Sequence, residues 1–219
     1  MTRNLAASVR ARLKQHADAA KEDFNLTLTH YGLERLLYVF ATAAIKGAEI
    51  RKSSGYGGVR IDILATLDGA RIALQVDIGF GDAVTPAPEE IRYPVLLDDL
   101  PAPQLRAYPK HTVVAEKFHA ICLLGMTNTR MKDYFDLGIL MQESTLDVDE
   151  LRRAIEATFA RRQTALPAEM PSGLSDAFVS DPTKQAQWKA FLRKNRLTPV
   201  DLGDLVARLR SRLQAVGVL

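Results

Sequence analysis

Cysteine is nearly absent from this chain: Cys122 is the only one in 219 residues. A single thiol excludes an internal disulfide and any Cys-rich zinc centre. Histidine is almost as scarce. His16, His30, His111 and His119 show no ligand spacing with one another or with Cys122, so no metal centre is expected on them. Long apolar runs are missing too. None approaches the roughly 18 residues that a membrane-spanning helix needs, so no membrane association is expected. The opening Met1-Thr-Arg-Asn-Leu5 has no apolar segment followed by a cleavage site, which points to a cytoplasmic protein. Neither sign of charge dominates, since 29 Lys+Arg against 26 Asp+Glu leave a formal +3. With 47% apolar and 25% charged residues the composition is globular, which excludes disorder and collagen-like repeats. No Ser-centred nucleophile elbow is present. Gly55-Tyr-Gly-Gly58 is glycine-rich, but no Lys-Ser/Thr follows, so it falls short of a P-loop.

What is present is patterning. Residues 3–21 read as an amphipathic helix carrying Leu5, Val9, Leu13, Ala17 and Ala20, and residues 29–40 continue it with Leu33, Leu36, Leu37 and Phe40. The pattern breaks over Ala41–Gly58, which is rich in small residues. A hairpin follows. Gly57–Leu67 and Ala70–Gly79 flank Asp68-Gly69, a two-residue turn signal. With those two residues as the loop, one face pairs Leu67 with Ala70, Ala65 with Ile72, Ile63 with Leu74 and Ile61 with Val76, all apolar. The other face pairs Arg60 with Asp77 and Asp62 with Gln75. A one-residue slip would invert both faces, so the register is well specified. Residues 81–109 hold six of the ten prolines and read as a long connection with a short edge strand near Ile91–Leu97. Helices then dominate: His111–Leu124, Arg130–Met141, Val148–Arg161, Lys184–Lys194 and Leu202–Ala215. The last 39 residues carry eight basic side chains against three acids. That +5 end suits either a solvated helix surface or a polyanion. The class expected is α+β: a mixed β-sheet remnant around the 57–79 hairpin in residues 1–109, and a helical bundle in 110–219.

Three constellations bear on chemistry. Asp62 and Asp77 lie one diagonal step apart on the polar face, either sharing a divalent cation or leaving Asp77 to a cross-strand pair with Arg60. Lys117 sits at the margin of an apolar helix face formed by Val114, Phe118, Ile121 and Cys122. From there it either snorkels or holds a triphosphate as a point charge. Asp133 falls in the first turn of a helix that Asn128 or Thr129 can cap, on the same side as Leu137 and Leu140. It is either a paired structural acid or a site carboxylate facing Lys117, with Asp136 one turn on. Cys122 reads as a packed core thiol.

Several segments in order carry a resemblance: Tyr56-Gly-Gly-Val-Arg60, Leu74-Gln-Val-Asp-Ile-Gly-Phe-Gly-Asp82, Tyr108-Pro-Lys, Val114-Ala-Glu-Lys117 and Arg130-Met-Lys-Asp-Tyr-Phe-Asp136. Together with Leu33-Glu-Arg-Leu-Leu37 and Gln185-Ala-Gln-Trp-Lys-Ala-Phe191, they make the chain resemble the AbiEii-type nucleotidyltransferase toxins. These are the toxins of type IV toxin–antitoxin and abortive-infection systems, within the polymerase-beta-like nucleotidyltransferases. The resemblance implies transfer of a nucleotide from an NTP to RNA, with tRNA the acceptor of some members, assisted by Mg or Mn. It also implies a cognate antitoxin. By position, Lys117 matches the lysine near the NTP phosphates. Asp133 matches the first acid of the Lys-Asp-x-x-Asp helix, and Asp77 a third carboxylate. Arg130, Lys132 and Asp136 fall to nucleotide binding by the same match, and Asp62 with Asp77 to metal. The family's lysine-glycine element, Gly-Ser loop and D-x-D belong between Phe40 and Tyr56, where this chain has 15 residues and one acid, Glu49. Lys46-Gly47-Ala48 echoes only the first of them. That gap leaves two readings: a transferase, or an inactive homologue that binds antitoxin or RNA. It also implies an apolar sheet face and edge left uncovered, and hence self-association.

Overall fold

The computed structural model describes residues 2–38, 43–50, 58–142 and 146–219. Phe40 and residues 55–57 of the glycine-rich segment therefore lie outside the described residues. The chain divides into two compact units. One comprises Met1–Gly81 with Glu90–Ala107, the other Asp82–Glu89 with Tyr108–Leu219.

In the first unit, α1 (Thr2–Ala20) and α2 (Phe24–Tyr38) precede β1 (Ala43–Ile50), β2 (Gly58–Leu67) and β3 (Ala70–Gly79). The sheet order is β1-β2-β3, antiparallel at both ladders. The hairpin register is the one the sequence predicts, from Leu67 opposite Ala70 to Arg60 opposite Asp77. Asp68 and Gly69 take the positive φ values, 46° and 78°, that a two-residue turn of this hand demands. The apolar face is not left bare, contrary to the expectation of an uncovered sheet face. Ile63, Ala65, Ile72 and Leu74 are buried with Val9 and Leu13 of α1 and Leu28 and Tyr31 of α2. The absence of a side chain at Gly32 permits this approach, because a Cβ there would stand 2.6 Å from Ile72 Cγ2. Two short strands, β4 (Glu89–Arg92) and β5 (Gln104–Ala107), pair separately. The edge strand expected near Ile91–Leu97 thus stops earlier, just ahead of Tyr93-Pro94. It leaves Leu97 buried as a loop residue.

Two further differences have identifiable causes, one local and one not. Helix α2 begins at Phe24 rather than at 29, because Asp23 Oδ1 accepts from the backbone N–H of Asn25 and of Leu26 at 3.0 and 3.2 Å. Strand β1 occupies residues read as a break in the pattern. Its Ala- and Gly-rich stretch has little β-propensity of its own, and pairing with β2 decides its conformation.

The second unit is helical: α3 (Lys110–Leu124), α4 (Met131–Leu140), α5 (Val148–Arg161), α6 (Asp176–Ser180), α7 (Pro182–Lys194) and α8 (Leu202–Val216). Four of these helices start on a side chain that accepts from a first-turn N–H: Asp147 from Glu150, Ser175 from Phe178, Asp181 from Lys184 and Asp201 from Asp204. Each such cap contributes about 1 kcal/mol. The core gathers Phe118 and Ile121 of α3, Tyr134 and Leu137 of α4, Ile155 and Phe159 of α5, Trp188 of α7 and Leu209 and Leu213 of α8. Trp188 Nε1 donates to Val200 O at 2.6 Å, so the one indole has its polar atom satisfied. Among the described residues, no helix is long and apolar enough to cross a membrane.

Candidate functional site

Helices α3 and α4 are joined by a 3-10 turn at Gly125–Thr127 and by Asn128. Asn128 is fully buried, and its Oδ1 accepts from the N–H of Arg130 at 2.8 Å. It thus shapes the approach to α4 without capping it. The N-cap position falls to Arg130 and has no side-chain cap, which corrects the expectation of Asn128 or Thr129 there. Lys184 of α7, counted in the sequence among the basic C-terminal side chains, is buried and donates to Asn128 O at 2.9 Å. This junction fixes the direction in which α4 leaves.

The α4 stripe that carries Tyr134 and Leu137 into the core also carries Asp133, which is 3% exposed. A buried carboxylate needs compensation. Lys117 Nζ supplies it, 2.8 Å from Asp133 Oδ1 and 2.8 Å from Asp136 Oδ2. Arg130 Nε lies 2.7 Å from Asp133 Oδ2, yet that oxygen receives no hydrogen bond, because the N–H is not aimed at it. Lys132 Nζ reaches Asp136 Oδ2 at 2.5 Å. Three cations thus surround two carboxylates. Lys117 and Asp136 are largely enclosed, while Arg130 and Lys132 stand in solvent.

Burial is the largest single influence on Lys117 and would lower its pKa. The hydrogen bonds and charges of Asp133 and Asp136 outweigh it, so the ammonium is held above its ordinary value. Burial alone would likewise raise Asp136, but Lys117 and Lys132 bring it below the usual carboxylate range. The linkage follows directly. Stability from Lys117 is complete below its ordinary 10.5 and is lost only as pH rises above that. Stability from Asp136 is lost only as pH falls below 3.8. Across neutral pH both groups are charged, so this pair offers point charges rather than a base or a general acid.

The other sequence candidates sit on the hairpin of the first unit. Arg60 forks onto Asp77, Nε to Oδ1 at 2.7 Å and Nη2 to Oδ2 at 2.8 Å, and Asp62 is exposed. The cross-strand ion pair is therefore formed. Among the described residues no three His, Cys, Asp or Glu side chains converge where they could hold a metal. Cys122 is half-buried, and burial pushes its thiol up to about 12, as befits a packed core group.

One network has no counterpart in the sequence reading. His119, buried on α3, places Nε2 2.9 Å from Thr164 Oγ1 and Nδ1 3.1 Å from Arg162 Nη1, with the Phe159 ring edge-on to its own. Arginine only donates, so Nδ1 accepts and the proton sits on Nε2. Desolvation first, and then the Arg162 charge, lower the imidazole to about 4. Nothing in the spacing of these three residues announces the contact. Because the unfolded chain takes up a proton near 6.5 and the folded one near 4, stability from this group is present above 6.5. It is lost as pH falls between those values. Denaturant titrations followed at Trp188 are expected to show wild type losing about 2 kcal/mol more than His119→Gln between pH 7 and 4.5. Parallel pH profiles would contradict the neutral, desolvated assignment.

The family model described as "Nucleotidyl transferase AbiEii toxin, Type IV TA system" matches residues 7–213. No curated protein matches the chain.

Proposed function

The chain belongs to the AbiEii nucleotidyl transferase toxin family of type IV toxin–antitoxin systems, and from that premise we propose that the α3–α4 cluster binds the phosphates of an NTP. Membership of a type IV system implies an antitoxin partner. The observation that carries the reading is the position of Lys117, held cationic between Asp133 and Asp136 with Arg130 and Lys132 at the solvent edge. The three cations outnumber the two acids by one, so the cluster presents a net positive charge to an entering phosphate. Arg130 and Lys132, both on the exposed rim, are free to swing onto a triphosphate. Asp133 Oδ2, buried and without a hydrogen bond, then accepts from a hydroxyl or amino group of the nucleoside. The acceptor of the nucleotidyl group in this reading is RNA, tRNA included.

A divalent ion is expected with the nucleotide, where it neutralises charge on the transferring phosphates. The carboxylates described here do not fit a resident one. Asp133 and Asp136 are engaged by lysine and arginine, and both oxygens of Asp77 are engaged by Arg60. This favours a second reading, a homologue that binds nucleotide, RNA or its antitoxin without catalysis. Incubation with labelled NTP and tRNA, each of the four nucleotides with Mg and with Mn, separates the two. Transfer to the RNA, lost in Lys117→Ala, supports the enzyme. No transfer under any combination leaves the binding module.

A further inference from the structure

Helix α8 carries three arginines, Arg208, Arg210 and Arg212, and they do not serve the same end. Arg210 turns inward, donating to Leu174 O at 2.5 Å and pairing with Asp176 at 2.7 Å. Arg208 and Arg212, four residues apart, share the opposite face. Both are exposed, and neither makes an ion pair or hydrogen bond with any described residue. They line a cavity of about 270 Å³ beside the C-terminal end of α4, where the small exposed parts of the core residues Met141 and Leu209 form an apolar floor and Gln142 and Ser211 supply polar groups. No acid lines it.

Two like charges side by side, with no counter-charge among the described residues, are unfavourable, and the partial negative charge at the end of α4 offsets only part of that. An anion relieves the rest. A bare phosphate would use the arginines and leave the cavity empty. A nucleotide within a strand uses every part. Its base enters the cavity over the small Met141–Leu209 floor, its polar edge meets the Gln142 amide and the Ser211 hydroxyl, and the phosphates on either side meet the two guanidiniums. Guanidinium forks match phosphate oxygens in pairs, and base contact with an apolar or planar surface tolerates any sequence.

We propose that this cavity between α4 and α8 is a subsite for one nucleotide of a single-stranded RNA, held through Arg208, Arg212, Gln142 and Ser211. The choice of RNA over DNA rests on the nucleotidyl-transfer reading; the phosphate and base contacts do not.

The test is fluorescence anisotropy of a short end-labelled single-stranded RNA with the full chain, over a series of salt concentrations. Arg208→Ala/Arg212→Ala is expected to weaken binding at least about tenfold and to flatten the log–log salt slope by about 2. Arg193→Ala/Lys194→Ala removes the same charge from another exposed part of the second unit, on α7, and is expected to weaken binding less than about threefold. Ser211→Phe, which fills the cavity and keeps the charge, is expected to weaken binding as well. Equal loss in the two double variants would overturn the subsite, and so would absence of RNA binding by the wild type. Equal binding of DNA of the same sequence would overturn the RNA assignment. Loss of antitoxin binding alone in Arg208→Ala/Arg212→Ala would give this face to a protein and overturn the inference. NTP titration of the same variant keeps the two readings apart, since the Lys117 cluster is untouched and its heat is expected to persist.

Discussion

Lys117→Met is expected to destabilise the helical unit by about 2–3 kcal/mol, read as a lower denaturant midpoint at Trp188. Methionine is close to lysine in volume, so little packing is lost. The cost lies in Asp133, whose carboxylate stays buried at 3% exposure and loses the ammonium that compensates it. Arg130 remains 2.7 Å away, but without a directed hydrogen bond, and it is mostly in solvent. The estimate therefore sits below the about 3–5 kcal/mol typical of breaking a fully buried pair. Adding Asp133→Asn to Lys117→Met removes the orphaned charge and is expected to recover more than half of the loss. A double variant as unstable as the single one would mean that Lys117 acts by packing, not by pairing. This cycle matters for function because it yields a folded protein that lacks the ammonium.

Gly173→Ala is expected to cost a similar amount, about 2–3 kcal/mol, through a different mechanism. Gly173 sits in the 3-10 turn Ser172–Leu174 with its missing side chain directed at α3. A Cβ there would stand 2.8 Å from Ile121 O, 3.0 Å from Ile121 Cγ2 and 3.2 Å from the Tyr134 hydroxyl. Ile121 O is backbone inside a helix and cannot step aside. The turn must move instead. Moving it breaks the 2.9 Å hydrogen bond from Tyr134 Oη to Gly173 O and disturbs the Tyr134 stack on Phe178, whose ring centroids are 5.1 Å apart. The tyrosine is fully buried, so its hydroxyl has no water to turn to. Gly217→Ala is the control. It sits at φ +76° with only ordinary contacts, so it costs the left-handed conformation alone, about 1 kcal/mol. If Gly173→Ala proves no worse than Gly217→Ala in Trp188-monitored unfolding, the close approach of this turn to α3 is not as described.

The hairpin was the most legible element because two signals agreed. Asp68-Gly69 set the loop length, and period-2 alternation set which face is apolar; both follow from backbone geometry within some twenty residues. Val148–Arg161 matched at both ends for a similar reason, a capping Asp147 before a strongly amphipathic run. The Lys117–Asp133 contact was half legible. A helical wheel puts the lysine at the margin of one buried face and the acid on another, and it takes the packing of α3 on α4 to join them. What lay beyond reach depends on distant partners. Strand β1 exists because β2 does, β5 because β4 does, and the five-residue α6 on its Ser175 cap. His119, Arg162 and Thr164 come together only through the packing of α3 on α5. The charge count misled at two places: Lys184 and Arg210 contribute to the +5 of the C-terminal end, yet both are spent on backbone carbonyls inside the unit. Arg208 and Arg212 are among the six that make no ion pair or side-chain hydrogen bond with a described residue, and they are the two that line a cavity.

In the proposed function, the cluster around Lys117 binds nucleotide phosphates. Calorimetric titration of NTP, with and without Mg, into wild type and into Lys117→Met/Asp133→Asn tests it most directly, because the double variant is expected to stay folded. Wild type is expected to give a saturable, Mg-dependent heat and the double variant none. Equal heats from the two proteins would contradict it.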